Sequence, residues 1–292
     1  MVNVMKAFNV RPRYKTSGDL GVEVEVEGVD LPRPDKYWIT EHDGSLRGEA
    51  REYVLKKPMS AEGVAAALTY LDKCYIDEGT EVFESVRAGV HVHVNVQDLT
   101  VVQLYTFMTA YIILEDLLTK FCGEYREGNL FCLRVRDADY LLYMLERVAV
   151  NKEYNAFNTD MLRYAAMNVK SLSTYGSLEF RAMRGTRDLL VINSWANILM
   201  GIRDKAKEFE SPKALVEWIK VNSMDLFLEL FLGDYLTEVV KSCDGKPDLL
   251  GGFSNAYHLA TNPDWESYKT KSIGGLDFPV GVEYPDEPEE DF

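Results

Sequence analysis

The stretch Gly89-Val-His-Val-His-Val-Asn95 decides how this chain is read. Valine alternates with histidine at the period of a β-strand, so Val90, Val92 and Val94 share one face, and His91, His93 and Asn95 share the other. Gly21-Val-Glu-Val-Glu-Val-Glu27 repeats the pattern with carboxylates, placing Glu23, Glu25 and Glu27 together, and Leu178-Glu-Phe-Arg181 repeats it with Glu179 and Arg181. These segments predict one sheet with an apolar face and a chemical face. Acids about 7 Å apart along a strand repel by roughly 2 kcal/mol at an effective dielectric near 20, so a cleft holding them calls for a counter-cation.

Each segment also has a plainer explanation. An alternating Val/Glu strand is commonly the solvated side of a sheet, and Glu179 with Arg181 is readable as a surface ion pair. The histidines shift the balance: only four occur in the chain, and two of them lie two residues apart on one strand face.

The 292 residues include 47 acidic and 32 basic side chains, a net charge of −15, which opposes non-specific binding to a nucleic-acid backbone. Cys74, Cys122, Cys132 and Cys243 lie far apart and fit neither a zinc knuckle nor a disulfide framework, so reduced thiols are expected. The N-terminal residues contain no apolar run of signal-peptide length, and the most apolar stretch, from Val101 to Phe121, is interrupted by Gln103, Glu115 and Asp116. No membrane span is expected, and a cytoplasmic location is.

Around the chemical strands, further elements are expected. Residues from Trp38 to Asp43 read as extended, Asp43-Gly44-Ser45 as a turn, and Arg51 to Pro58 as a strand. Ser60 caps a helix from Ala61 to Glu78 that Gly79 stops, and Asp98 or Thr100 opens a long helix ending before Gly123. Helical periods return over Ala138 to Val150, Leu189 to Phe209, Lys213 to Val221, Met224 to Leu232 and Tyr235 to Ser242. From Asp244 onward, Gly251-Gly252, Gly274-Gly275 and prolines predict mostly loop, and residues 284–292 an acidic disordered tail. The expected division is 1–210 for a catalytic domain, 211–283 for a helical and loop extension, and 284–292 for the tail.

Taken in order, Gly21-Val-Glu-Val-Glu25, Asp43-Gly-Ser45, Glu52-Tyr-Val-Leu-Lys-Lys-Pro58, Gly89-Val-His-Val-His-Val-Asn95 and Leu178-Glu-Phe-Arg181 resemble the phage and bacterial amidoligases, relatives of glutamine synthetase and the glutamate-cysteine ligases. The resemblance spans roughly Gly21 to Asp204. It implies an α+β fold with a curved, mainly antiparallel sheet whose concave face binds ATP and Mg²⁺ or Mn²⁺ and is backed by helices. It also implies amide formation from a carboxylate and an amine through an acyl phosphate.

Carried over by position, Glu23, Glu25, Glu52, His91 and Glu179 stand as metal ligands, with Asp43 a less secure sixth. His93 faces the phosphates, Arg181 neutralises the transferring phosphoryl group, and Arg163 and Arg184 contact the nucleotide. The implied partners are a small-molecule or peptide carboxylate and an amine, with a homo-oligomer left open. Two readings compete: a His-x-His oxygenase or hydrolase on a β-barrel, and a non-catalytic nucleotide-binding scaffold that keeps the fold.

Overall fold

The computed structural model describes residues 1–10, 18–42, 44–243, 247–273 and 276–279. Its centre is an open antiparallel sheet built from β1 (Leu20–Val29), β2 (Trp38–Glu41), β3 (Ala50–Leu55), β4 (Glu81–Phe83), β5 (Gly89–Asn95), β6 (Met167–Asn168) and β7 (Ser177–Arg184). The strand order is β2-β3-β1-β5-β7-β6, with β4 pairing the far end of β1. Every expected chemical strand is present, and the fold is α+β as the sequence predicts. The sheet is open, which removes the barrel that the oxygenase reading requires.

Register does the positioning. Glu23 pairs with His91 and Glu25 with Glu52, while His93 lies between Gly21 on one side and Glu179 on the other. Directly opposed residues of antiparallel strands point to one face, so the carboxylates and imidazoles converge as their parity predicts. Val22, Val24, Val26, Val90, Val92, Val94, Leu178 and Phe180 fill the opposite, fully buried face.

Between Val90 and Val92 the pairing of β5 with β7 slips by one residue, so Arg181 and Ala182 together oppose His91. This bulge keeps Glu179 and Arg181 on the polar face and still returns Met183, fully buried, to the core.

The remaining helices are α1 (Val4–Ala7), α2 (Ala61–Glu78), α3 (Val101–Cys122), α4 (Asp139–Asn151), α5 (Ser171–Tyr175), α6 (Leu189–Ala206), α7 (Pro212–Asn222), α8 (Met224–Leu232), α9 (Leu236–Lys241) and α10 (Leu249–Thr261). Helices α2, α3 and α6 cover the apolar face of the sheet, and α7 and α10 pack on α3 from outside. Their ends follow local chemistry. The Ser60 hydroxyl accepts from Gly63 N at 3.3 Å, Gly79 takes the left-handed conformation at φ +69°, and Thr100 with Gln103 forms a capping box.

Helix α3 has the length and mean hydropathy, 1.4, of a membrane span, but it is 94% buried inside the protein and carries Glu115 and Asp116. It is a core helix.

One expectation fails. The Gly251-Gly252 stretch, expected as loop, lies inside α10. A Cβ at Gly252 would fall 2.7 Å from the Ile113 carbonyl oxygen, so glycine there permits helix-on-helix contact too close for a side chain. The four cysteines are free, with Cys122 and Cys132 buried. The expected acidic tail, 284–292, lies outside the described residues, as does Asp43.

Candidate metal and phosphate site

Three strands, β1, β5 and β7, place six ionisable side chains in one cluster on the polar face. His91, buried at the centre, has its Nδ1 3.1 Å from Glu23 Oε2 and 3.8 Å from Glu179 Oε1, and its Nε2 3.7 Å from Glu25 Oε1. His93 approaches Glu23 through Nε2 at 3.3 Å, and its Nδ1 lies 3.1 Å from the Ser177 hydroxyl. Arg181 makes a close charged hydrogen bond to Glu179 Oε1, and its Nη1 lies 3.4 Å from His91 Nδ1. The other Glu179 oxygen accepts from Asn168 Nδ2 at 2.7 Å.

These contacts set the protonation states. Burial alone would raise the Glu23 carboxyl, but hydrogen bonds from His91 and His93 outweigh it and hold the group well below the usual range. For Glu179 the desolvation cost is likewise overcome, by the charges of His93, Arg181 and His91, leaving it lowered. His93 shifts upward: desolvation opposes this, and the Glu23 hydrogen bond with the Glu179 charge prevails.

Glu23, Glu25 and Glu179 outnumber the single guanidinium of Arg181, so two negative charges remain if both imidazoles are neutral. One ligand atom from each of Glu23, His93 and Glu179 lies within 4.8 Å of the other two, close enough for one ion to touch all three. Two carboxylate oxygens and an imidazole nitrogen are donors that Mg²⁺ or Mn²⁺ accepts, and the excess charge matches a divalent ion. The residues fit the expected metal. This trio takes its imidazole from His93, where the family resemblance points to His91.

Other expected residues sit further out. Glu52 lies beside Glu25 in register and is half-buried, one strand from the trio. Arg184 donates to the Cys122 carbonyl at 3.1 Å, capping the C-terminal end of α3. Arg163 is exposed, with its guanidinium 5.0 Å from the ring centroid of Tyr164.

Three contributors escaped the sequence reading. Arg126, 1% exposed, donates to the carbonyls of Ala182 at 2.9 Å, Arg181 at 2.7 Å and Ala88 at 3.4 Å, tying the bulge to the start of β5. Gly89 donates its N–H to Glu25 Oε2 at 2.8 Å, and a Cβ there would stand 3.1 Å from Arg126 and 3.3 Å from the His91 ring. Ser177 fixes the orientation of the His93 ring. Only the alternation that marks Ser177 as polar-facing was available beforehand.

Beside the cluster opens a cavity of about 420 Å³, reached by Glu23 and His93 at one side and by Lys56, Lys57, Gln97 and Tyr175 at the other. Gly21, opposite His93, leaves its floor free of a side chain.

Residues 70–202 match the family model described as "Putative amidoligase enzyme". The matched span includes β5 and β7, with both histidines, Glu179 and Arg181, and supports a chain of the amidoligase type. No curated protein matches the chain.

Proposed function

We propose that this chain is an ATP- and Mg²⁺-dependent carboxylate-amine ligase. The observation that carries the reading is the convergence of Glu23, His93 and Glu179 within reach of one ion, with Arg181 bonded to Glu179 on the same face. The amidoligase match independently supports amide-bond formation as the class of reaction.

Phosphoryl transfer demands mainly positioning and charge neutralisation. Glu23, His93 and Glu179 would hold Mg²⁺, which supplies charge neutralisation at the phosphate oxygens. Glu25 and Glu52 extend the acidic row for a second ion. Arg181 presents a guanidinium fork suited to phosphate geometry. Lys56 and Lys57 stand at the rim of the 420 Å³ cavity, where they offset the charge of a nucleotide or an acidic substrate.

The chemistry balances in two steps. A substrate carboxylate oxygen bonds to the γ-phosphorus as the bond to the β-bridging oxygen breaks, releasing ADP. The amine nitrogen then bonds to the acyl carbon while its bond to the phosphate oxygen breaks, releasing phosphate and one proton from nitrogen. Relation to the glutamine synthetase superfamily belongs to this proposal, as do a cytoplasmic site of action and a phage or bacterial setting.

Differential scanning fluorimetry with ATP and Mg²⁺ together tests the reading, followed by a phosphate-release screen over paired acids and amines. A rise in melting temperature that Glu179→Ala abolishes, with ADP formed for some pair, is the expected outcome. Stabilisation by Fe²⁺ or Zn²⁺ alone, with no response to nucleotide, would sink it.

A further inference from the structure

A second cavity, of about 330 Å³, lies among α3, α10 and the turn at Val135, and its wall includes Glu115, Asp116, Arg136, Asp248, Ser254 and Asn255. Glu115 is 3% exposed, accepts from Val135 N through Oε2 at 2.8 Å, and has no partner for Oε1 among the described residues. The terminal torsion of a glutamate is soft, so either oxygen can serve Val135 and leave the other for the cavity.

The neighbouring acids are already matched. Asp116 Oδ1 accepts from Arg134 at 3.0 Å and Arg136 at 3.3 Å, and its Oδ2 accepts from Asp248 N at 2.7 Å. Asp137 pairs with Arg134 at 2.7 Å, and Asp248 with Arg136 at 3.4 Å. Asp116, Asp137 and Asp248 thus share two guanidiniums, and Glu115 has no ion-pair partner of its own among the described residues.

We infer that this cavity binds a small primary ammonium compound, with Glu115 as counter-ion and the Asn255 amide and Ser254 hydroxyl as further acceptors. Neither of those two side chains has a hydrogen-bond partner among the described residues. A primary ammonium carries three N–H donors, one for each acceptor. A divalent metal ion is the poorer fit, because it needs about six oxygen ligands and would sit beside Arg136. The volume falls within the usual range for small-ligand pockets of roughly 300–1,000 Å³. Burial pushes the Glu115 carboxyl up to about 8, outweighing the Val135 N–H and the charge of Arg134.

The test titrates the full chain at a pH just above 8, where Glu115 is ionised and a primary ammonium still carries its proton, with propylammonium chloride, reading melting temperature and heat of binding, with tetramethylammonium chloride and 1-propanol as controls. Saturable stabilisation by propylammonium alone is expected. Glu115→Gln weakens it about tenfold or more, and Ser254→Leu, which occludes the exposed mouth without touching the buried carboxyl, does the same should Glu115→Gln fold poorly. Glu179→Ala retains the response, which separates this cavity from the site proposed for ligation. Equal responses to all three compounds, no response at all, or full binding by both Glu115→Gln and Ser254→Leu overturns the inference.

Discussion

Glu179 on the sheet and Glu115 on the central helix are both more than nine-tenths buried, yet burial has opposite outcomes for them. Glu179 is ringed by His91, His93, Arg181 and Asn168, and stays ionised below its usual range. Glu115 accepts one backbone N–H among the described residues, and burial outweighs that bond and the nearby Arg134 charge to push it up to about 8. Depth alone therefore says little about a carboxylate; the neighbours that the fold delivers decide its charge.

The largest expected effect comes from taking the cation out of the sheet cluster. Arg181→Met leaves Glu179 buried with weaker partners and should cost about 3 kcal/mol, read as a lowered urea midpoint at unchanged slope. Added Mg²⁺ should restore part of the loss if the carboxylates accept a substitute cation. Glu179→Ala is expected to weaken Mn²⁺ binding about a hundredfold, or about 2.7 kcal/mol, in a calorimetric titration. Undiminished affinity would remove the trio from the metal site.

Acidity sharpens the contrast, because the two classes of carboxylate should bend the stability curve in opposite directions. Glu23 and Glu179 titrate below their unfolded values, so their contribution is complete above the ordinary carboxylate range and vanishes as pH falls through the folded values. His93 is raised, so its contribution is full below the unfolded histidine value and disappears as pH climbs through the folded one. Glu115 binds its proton more tightly folded than unfolded, so stability should decline between the ordinary glutamate value and about 8. The decline has a limiting slope of about 1.4 kcal/mol per pH unit, and calorimetric melts of Glu115→Gln should lack that component. The smallest effect is expected for Ser177→Ala, about 1 kcal/mol from one lost hydrogen bond, detectable as a changed His93 titration by NMR while the fold persists.

Much of this arrangement was legible in the chain because it depends on local parity. A two-residue period separates the polar side of each strand from its valine or leucine side, so once the apolar sides meet the core Glu23, His93 and Glu179 share the other face, and Ser60, Gly79 and Thr100 announce helix ends by chemistry within a few residues. Long-range relations left no such trace. Arg126 sits in an unremarkable Gly-flanked turn, and its partners are backbone carbonyls 38 to 56 positions away, which carry no side-chain signal. Gly251-Gly252 reads as a breaker because propensity is local, whereas the need for close approach to Ile113 arises only once α10 lies on α3. Nothing in alternation alone announces an extra residue in β7.

That extra residue also makes the molecule tolerant in one place and brittle in another. Because Arg181 and Ala182 jointly face His91, the two ends of β7 keep independent phase. Sequence drift beyond Met183 can reshape the turn into α6 while the reactive half of the strand stays aligned. Deleting Ala182 would leave Arg181 alone opposite His91 with Glu179 and Met183 on their present faces, but it would remove the carbonyl that Arg126 Nε holds at 2.9 Å and with it part of the tie between β7 and the start of β5.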